Sequence, residues 1–400
     1  MDSINYLLSI ETRGIKLGLQ RTKTIMQACG NPHLDLQIVQ VAGTNGKGSV
    51  CAILANILTS ANYKTGLFTS PHLVRINERI RINGKPIADF EIDRFIKSYK
   101  QDIEKNNITF FETTTALACW YFKKNNVDIV IMETGLGGRL DSVSICRPLA
   151  TVITPISFDH MEILGDTLTD IAIEKAGIMK KNIVCLSALQ KPEVRSTLQS
   201  EAYKKGAPLY FINNEKINNI DINIPGENQK ENTKLALLVL DNLSDFKTTN
   251  SSIQEGLKRV QWYGRNQLIQ KKPPIIFDVA HNEDSIKCFI NYYQSLKIKG
   301  QSILVLALYF RKRIRNITPL IESSFQHIIC TEADTRNPMK ASVLGEQFNE
   351  NHSVEIIKDS TTAIYKGINH LHHNGGMAIL GTHYLAPSIN KIFKISFDSV

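Results

Sequence analysis

The residues with the clearest chemical potential lie in one glycine-rich stretch that follows an apolar run. Glycines leave backbone N–H groups open to an anion, and a helix that begins after such a turn points its positive dipole end at the same place. Lys47 adds a mobile positive charge, and Ser49 adds a hydroxyl that can face a magnesium ion. The stretch is interpreted as a phosphate-binding loop made of Gly43, Thr44, Asn45, Gly46, Lys47, Gly48 and Ser49.

This loop is a variant, because Gly48 separates the lysine from the serine that usually follows it directly. The alternative is a plain glycine turn that joins a strand to a helix. The apolar strand before the turn and the lysine within it favour phosphate binding.

Further polar groups follow other apolar runs that are predicted to be strands. Glu133 ends the run from Val127, and Asp159-His160 lies beyond the run 150–154. The carboxyl ends of parallel strands meet at one edge of a sheet, where ligands bind. A hydroxyl, a carboxylate and an imidazole at that edge predict Mg²⁺ bound with a nucleoside triphosphate. Taken singly, His160 is also typical of a hydrogen-bonded loop histidine, and Glu133 of a solvated strand end.

The order of the predicted elements indicates the fold class. An apolar strand from Ile38, a helix over 50–58 and a strand over 64–68 form a unit that implies a parallel sheet. A new series of strands and helices starts after Trp262 to Arg265. The prediction is therefore an α/β protein: a P-loop N-terminal domain over 1–262 with a mostly parallel sheet flanked by helices, and a smaller Rossmann-like α/β domain over 263–400.

Composition limits the function classes. The 400 residues are 42% hydrophobic and 21% charged, which is typical of a globular protein. The net charge of +9 suits nucleic acid, a membrane surface or small acidic ligands, but the lysines are scattered as on a solvated face. The seven cysteines contain no Cys-x-x-Cys pair, which argues against a disulfide framework. Without a signal-peptide pattern or a long apolar run, the expectation is a cytoplasmic enzyme with no nucleic-acid or membrane partner.

A series of short patches, in order along nearly the whole chain, carries a more specific resemblance. They include Ala42 to Val50, Ser70-Pro71-His72, Glu133 to Asp141, Glu174 to Ile178 and Asp278 to Asn282. Together they resemble the Mur ligase superfamily and, within it, the folylpolyglutamate synthase and dihydrofolate synthase branch. The resemblance implies an ATP-dependent ligase, mostly monomeric in the family. It would add L-glutamate to a reduced folate, and also to dihydropteroate, through an acyl phosphate.

The resemblance also implies roles for individual residues. Lys47 would hold the β and γ phosphates, and it forms the implied catalytic set with His160 and Lys175. Two Mg²⁺ ions, as the resemblance implies, would be bound by Ser49, Ser70, Glu133, His160 and Lys175. Family members carry a carbamylated lysine at the position of Lys175, which turns a cation into an anionic ligand. An ordinary helix lysine paired with a neighbouring carboxylate is the alternative.

The remaining implied contacts concern ATP and the pterin. Outside the loop, the implied ATP contacts are Asn232 at the adenine and Arg265, Asp278 and His281 from the hinge and second domain. Closure of the two domains would assemble the site. The implied folate contacts are Phe111 by stacking and Asp141 and Ser142 by polar contact.

Two stretches depart from the family pattern. Asp141-Ser142-Val143-Ser144 stands where Asp-Ala-Thr-Asn is usual, which predicts an altered pterin pocket. Arg311-Lys312-Arg313 stands where Asp-Lys-Asp is usual, as solvated loop charges or as an attraction for a polyglutamate tail. Two other functions therefore stay open: a Mur-type ligase acting on another carboxylate, and a nucleotide-binding protein without ligase turnover. The cluster His370, His372 and His373 is interpreted as a surface loop, not a metal site.

Overall fold

Two separate sheets organise the chain in the computed structural model, which describes residues 2–213, 221–310, 312 and 314–398. The described residues divide into two compact units. Unit 1 holds those of Met1–Asn223, Gln229–Gln261 and Asp398–Val400, and unit 2 holds Ile224–Asn228 and those of Trp262–Phe397. This division differs from the predicted boundary in three places: residue 262 and residues 224–228 belong to unit 2, and Asp398 belongs to unit 1. Arg311 and Arg313, the predicted charge reversal, lie outside the described residues.

The sheet of unit 1 is parallel except at one side. Its strands are β1 (Ile38–Ala42), β2 (Thr65–Phe68), β3 (Ile80–Ile82), β4 (Lys85–Pro86), β5 (Ile129–Glu133), β6 (Ala150–Ile153), β7 (Val184–Ser187) and β8 (Leu209–Phe211). The spatial order is β4-β3-β2-β5-β1-β6-β7-β8, and only β3 and β4 pair antiparallel with their neighbours. The loops after β2, β5, β1 and β6 therefore leave the sheet at one edge, as predicted.

Helices cover both faces of this sheet. They are α1 (Ser3–Ser9), α2 (Gln20–Ala28), α3 (Lys47–Ser60), α4 (Asp89–Lys105), α5 (Phe110–Lys124), α6 (Met161–Leu164), α7 (Leu168–Ala176), α8 (Pro192–Lys205), α9 (Glu227–Asp241) and α10 (Asn250–Arg259). Short 3-10 helices span Ile10–Arg13, Pro32–Leu34, Ile76–Arg79 and Ser142–Ile145. One buried cluster joins the sheet to α4 and α5, and another joins it to α7 and α8.

The sheet of unit 2 is also mostly parallel. Its strands are β9 (Gln267–Lys271), β10 (Pro274–Asp278), β11 (Ser302–Leu306), β12 (His327–Glu332), β13 (Val354–Asp359) and β14 (Gly376–Leu380), in the order β13-β12-β11-β14-β10-β9. Only β9 is antiparallel to its neighbour. The helices are α11 (Glu283–Ser295), α12 (Thr318–Ser324), α13 (Ala341–Gly345), α14 (Ser360–His370) and α15 (Ala386–Phe393), with a 3-10 turn at His383–Leu385.

The predicted α/β fold class is therefore confirmed in both units: each sheet is mostly parallel and flanked by helices. Buried strands such as β1, β5, β11 and β14 are exposed to solvent on neither face, which explains their near-continuous apolar sequences. Within the described ranges, no helix has both the length and the apolar character needed to cross a membrane.

Candidate active site

The glycine-rich stretch forms the turn between β1 and α3. Gly46 precedes the first helical residue with a φ of 88°, a left-handed conformation that favours glycine. Gly43 lies so close to the next loop that a Cβ there would be 1.9 Å from the Thr154 hydroxyl oxygen. The N-terminus of α3 therefore faces the turn directly, which gives an anion site with the helix dipole behind it.

Lys47 is held only lightly at the start of α3. Its Nζ donates to the carbonyl oxygen of Thr44 at 3.2 Å and lies 3.9 Å from Oε1 of Glu133. The side chain is about one-fifth exposed. One hydrogen bond and one distant ion pair leave the ammonium able to turn toward a phosphate group.

Ser49 carries an unusual hydroxyl. It lies in the first turn of α3 and is fully buried, yet its Oγ has no hydrogen-bond partner among the described residues. A buried hydroxyl left unpaired costs about 1–3 kcal/mol. A buried oxygen in this state beside a phosphate-type turn and a carboxylate fits a metal ligand, so the residues present are compatible with a divalent cation.

Glu133 connects two of the strand-end loops. It is the last residue of β5 and is 3% exposed. Its Oε2 accepts a hydrogen bond from the backbone N–H of Ser70 at 3.0 Å, and its Oε1 faces the ammonium of Lys47. The carboxylate therefore brings the loop after β2, with Ser70, next to the phosphate-type turn. The alternative, a solvated strand end, is wrong, because the side chain is buried.

The loop after β6 is tied to the same turn. The backbone N–H groups of Thr44 and Asn45 donate to the carbonyl oxygen of Pro155 at 3.0 and 3.1 Å. The Thr44 hydroxyl donates to the carbonyl oxygen of Ser157 and accepts from its N–H, both at 3.1 Å. These bonds place His160, which follows on the same loop, near this edge of the sheet.

His160 has a strained backbone and a partly exposed ring. Its φ of 50° is left-handed, and its N–H donates to Oδ1 of Asp159 at 2.9 Å. Nε2 lies 4.0 Å from the same Asp159 oxygen, and Nδ1 lies 3.8 Å from Oε1 of Glu162. A non-glycine residue in this conformation costs about 1–3 kcal/mol and is most often found at functional sites.

Lys175 is a buried lysine at the end of α7. It is 4% exposed, and its Nζ donates to the carbonyl oxygen of Gly43 at 2.6 Å. Burial, followed by the charge of Lys47, lowers its pKa to about 7, while Asp159 and Asp141 oppose the shift. The hydrogen-bond partner is thus a carbonyl of the phosphate-type turn and not a neighbouring carboxylate.

Two glycines allow α7 to reach the loop after β5. A Cβ on Gly138 would lie 2.8 Å from the carbonyl oxygen of Lys175, and one on Gly177 would lie 2.3 Å from Cα of Arg139. Arg139 also pairs with Glu174 at 2.7 Å. The two sequence motifs around Gly138 and Lys175 therefore pack as one unit, which places the lysine between the two loops.

Asp141 organises its own loop. Its Oδ2 accepts from the N–H groups of Gly135 and Leu136, both at 2.9 Å, and its Oδ1 accepts from Val143 at 3.0 Å. Burial raises the pKa of this carboxyl to about 6, although the three backbone N–H groups oppose the shift. Both carboxylate oxygens are thus engaged by the backbone of the loop.

The other two predicted folate contacts flank this loop. Phe111, partly buried, lies against Gly135 so closely that a Cβ there would be 2.6 Å from its ring. Ser142 is 6% exposed and accepts a hydrogen bond from the hydroxyl of Thr22 at 3.2 Å. Phe111 therefore presents a ring beside the loop, whereas Ser142 is held inside it.

Sequence reasoning missed the buried residues that support the loop after β5. The Ser144 hydroxyl donates to the carbonyl oxygen of Gly138 at 2.5 Å and accepts from the side-chain amide of Gln40 at 2.8 Å. Lys180 donates to the carbonyl oxygen of Ser144 at 3.0 Å. The signal was available, because Gln40 is a polar residue in the middle of an apolar strand.

Asn232 lies against the phosphate-type turn from α9. It is 5% exposed, and its Nδ2 donates to the side chain of Gln229 at 2.9 Å. A Cβ on Gly46 would be 2.5 Å from its Oδ1. The structure therefore brings this predicted residue to the turn.

The predicted residues of unit 2 gather at the end of β10. Oδ1 and Oδ2 of Asp278 accept from the N–H groups of Ala280 and Asn266, both at 2.7 Å. Burial raises the pKa of Asp278, and Arg265 opposes the shift. Nδ1 of His281 lies 2.8 Å from the carbonyl oxygen of Val279. Asp278 and His281 thus lie at the end of β10, with Arg265, from the segment before β9, near enough to act on the charge of Asp278. Their role toward ATP stays a prediction.

Comparison with known protein families gives two matches. The Mur ligase middle domain matches residues 41–184, and the glutamate ligase domain of Mur ligases matches residues 264–383. The first match contains the phosphate-type turn, Glu133 and Lys175, and the second contains the loop after β10.

Named relatives and solved structures are similar to this chain. A dihydrofolate synthase/folylpolyglutamate synthase of Bacillus subtilis (strain 168) is 38% identical over 306 residues, 68% of this chain and 71% of the relative. The structure of E. coli FolC in complex with DHPP and ADP has a TM-score of 0.88 at 26% identity and covers 98% of each chain. A bifunctional folylpolyglutamate synthase/dihydrofolate synthase from Yersinia pestis, complexed with AMPPNP and Mn ion, has a TM-score of 0.88 at 25% identity, over 99% of this chain and 98% of that one.

Proposed function

The chain belongs to the Mur ligase family, in its folylpolyglutamate synthase/dihydrofolate synthase branch, and from this premise we propose how its residues carry out the reaction. It is an ATP-dependent ligase that adds L-glutamate to folates. The predicted family and function are thereby confirmed. A divalent metal and ATP are the cofactor and co-substrate, in keeping with the nucleotide and Mn in the similar structures.

The observation that carries the proposal is the unpaired, buried hydroxyl of Ser49 beside the ion pair of Lys47 and Glu133. If this turn had only a structural role, we would expect that hydroxyl to be hydrogen-bonded, because leaving it unpaired is costly. A site that binds a metal-nucleotide complex leaves it available. The same contacts argue against a plain glycine turn.

We propose Ser49, Ser70, Glu133, His160 and Lys175 as the residues that hold two Mg²⁺ ions. Such ions neutralise the charge that develops during phosphoryl transfer. The residues of the chain do the rest. Lys47 turns from Thr44 toward the β and γ phosphates, and the N–H groups of the first turn of α3 orient them. The γ-phosphoryl group then passes to the folate carboxylate, and the amine of L-glutamate displaces phosphate from the acyl phosphate.

We further propose that Lys175 is carbamylated. Its neutral amine adds to CO₂ with loss of one proton, which gives an anionic carbamate whose remaining N–H still donates to the Gly43 carbonyl. Its burial against the metal-binding turn supports this role. ¹³C NMR of protein equilibrated with ¹³CO₂ should show a carbamate signal that Lys175→Arg lacks. Short carboxylic acids should restore turnover to Lys175→Ala; failure of both tests would refute the modification.

The folate and adenine contacts are proposed from their places beside the loops. Phe111 stacks on the pterin, and Asp141 and Ser142 act by holding the loop that borders it. Asn232 stays the proposed adenine contact that the family resemblance implies, and its closeness to Gly46 puts it beside the nucleotide site. Arg265, Asp278 and His281 stay proposed ATP contacts. A cytoplasmic monomer without nucleic-acid or membrane partners stays the expectation.

Phosphate release by the purified protein tests the function. We expect release that requires L-glutamate and either dihydropteroate or tetrahydrofolate. If neither dihydropteroate nor tetrahydrofolate supports phosphate release, the assignment fails in favour of a Mur-type ligase that acts on another carboxylate. Tight ATP binding without release on any acceptor would favour a nucleotide-binding protein.

A further inference from the structure

A cluster of three metal-ligating side chains lies in unit 2, away from the loop after β10. His327 opens β12, Glu355 lies in β13 and His370 ends α14. Nε2 of His327 and Nε2 of His370 each lie 3.0 Å from Oε1 of Glu355. Two imidazole nitrogens and one carboxylate oxygen thus meet at one point. His370 is the last residue of α14, so the prediction that it belongs to a surface loop is wrong for this residue.

The fold explains why these three residues meet. In the parallel register Glu355 pairs with Ile329, and His327 lies two residues before Ile329 on the same strand, so both point to one face of the sheet. Gly367 brings α14 onto that face, because a Cβ there would be 3.7 Å from the side chain of Ile329. His370 follows three residues later on the same side of the helix.

His327 is oriented as a ligand would be. Its Nδ1 lies 2.7 Å from the hydroxyl of Ser353, which can fix the position of the ring proton. Its Nε2 is buried and makes no hydrogen bond of ordinary geometry within the described residues, despite the short distance to Glu355. Nδ1 held by a polar partner, with Nε2 left for an ion, is the usual arrangement of a metal-binding histidine.

We propose that His327, Glu355 and His370 form a binding site for a divalent transition-metal ion, with Zn²⁺ as the best-suited ion. Two imidazoles and one carboxylate are a known zinc ligand set, with a fourth position left for water. Ligand atoms each about 2.0–2.2 Å from one ion in a tetrahedral site are separated by roughly 3.3–3.6 Å, so the 3.0 Å distances need to lengthen by only a few tenths of an ångström when an ion binds. The ion would tie β12, β13 and α14 together.

The surrounding charges are compatible with the ion. Burial, His370 and Lys366 lower the pKa of His327, whereas Glu355 raises it. Nζ of Lys366 lies 3.9 Å from Oε2 of Glu355, and its side chain is 44% exposed, so it can move into solvent when an ion binds. Glu355 and His370 are each about one-third exposed, which leaves the ion a path of entry.

Zinc binding by the full chain tests the proposal. Zn²⁺ is titrated calorimetrically in a non-chelating buffer with excess Mg²⁺ and AMPPNP, so that the nucleotide site is already filled. We expect one equivalent to bind, and Glu355→Gln and His370→Asn each to weaken binding by at least about 100-fold, since even an indirect partner of a ligand is worth 10–100-fold. Co²⁺ in place of Zn²⁺ should give the visible absorption of a low-coordinate site.

A neighbouring histidine supplies the matched control. His372 is exposed and only two residues from His370, so His372→Asn should leave zinc affinity unchanged. Circular dichroism and melting temperature without metal verify that each variant folds. Equal zinc affinity in all three variants and the parent would overturn the proposal. So would zinc that excess Mg²⁺ displaces, because it would then occupy the nucleotide site.

Discussion

Two glycine-rich loops leave neighbouring strands of the same sheet, and they treat their polar groups in opposite ways. The turn after β1, residues 43–46, and the adjoining start of α3 contain a buried hydroxyl without a partner and a lysine with one weak hydrogen bond. The loop after β5, residues 134–144, uses Asp141 to accept from three backbone N–H groups. Within that loop the Ser144 hydroxyl donates to Gly138 and accepts from Gln40, and the Ser144 carbonyl oxygen accepts from Lys180.

The difference indicates that one loop binds a ligand and the other supports the site. A loop that must exchange a ligand keeps some polar groups unsatisfied, because a group already bonded to protein gains little from a ligand. A loop that must present a fixed wall to a ligand satisfies its own groups. On this view the turn after β1 binds, and the loop after β5 shapes the site. Matched substitutions in the two loops should therefore change different properties.

The largest expected effect comes from removing the lysine that serves each loop: Lys47 beside the turn after β1, and Lys180, which donates to the loop after β5. Lys47→Ala should lower kcat by about 10²–10³-fold, the usual loss when one donor to a developing charge is removed, with little change in melting temperature. Lys180→Ala should lower the melting temperature with little change in kcat, since Lys180 supports Ser144 without reaching the turn. Phosphate release and thermal melting measure the two effects. Similar losses of kcat in both variants would contradict the division of roles.

The two serines extend the comparison to the metal. Ser49→Ala should raise the Mg²⁺ concentration for half-maximal rate by about 10–100-fold. It should not destabilise the fold, because the hydroxyl has no partner to lose among the residues that the structure describes. Ser144→Ala should cost about 1–3 kcal/mol of stability by leaving buried groups unpaired, at an unchanged Mg²⁺ requirement. Rates across a Mg²⁺ series and urea unfolding decide between these outcomes.

Much of the binding loop could be predicted from sequence because its chemistry is local. Glycines, a lysine and a serine at fixed spacing after an apolar run predict both the turn and its ligand. Glu133 could be placed at the same edge because parallel strands deliver their ends together. These inferences needed only strand order and residue type.

The supporting loop could not be predicted in the same way, because its contacts come from distant parts of the chain. The role of Ser144 depends on Gln40, 104 residues away, and on Lys180, 36 residues away. Sequence reasoning assigned the departure at Ser144 to the pterin pocket, whereas its hydroxyl is a buried support. The cluster around Glu355 was missed for the same reason, since its ligands come from three separate elements.

Phe111 tests whether the supporting loop also contacts the acceptor. Phe111→Leu should raise KM for the folate acceptor by about tenfold, as loss of ring stacking costs roughly 1–3 kcal/mol, and it should leave KM for ATP unchanged. Phe110→Leu is the matched control: Phe110 is buried beneath the Arg79 guanidinium, and its loss should lower only stability. Equal effects of the two variants on KM would remove Phe111 from the pterin site.

The pH dependence of stability tests Lys175, which lies between the two loops. Its folded-state pKa of about 7 lies below its ordinary value of 10.5 because the amine is buried. The unfolded chain therefore binds more protons than the folded chain above pH 7, so this residue makes stability rise with pH from about 7 toward 10. In CO₂-free buffer, Lys175→Met should flatten that rise in urea unfolding. Lys204→Met, which removes an exposed lysine paired with Glu201, should preserve it. An identical pH profile for both variants would mean that Lys175 is solvated and charged, and it could not then connect the binding loop to its support.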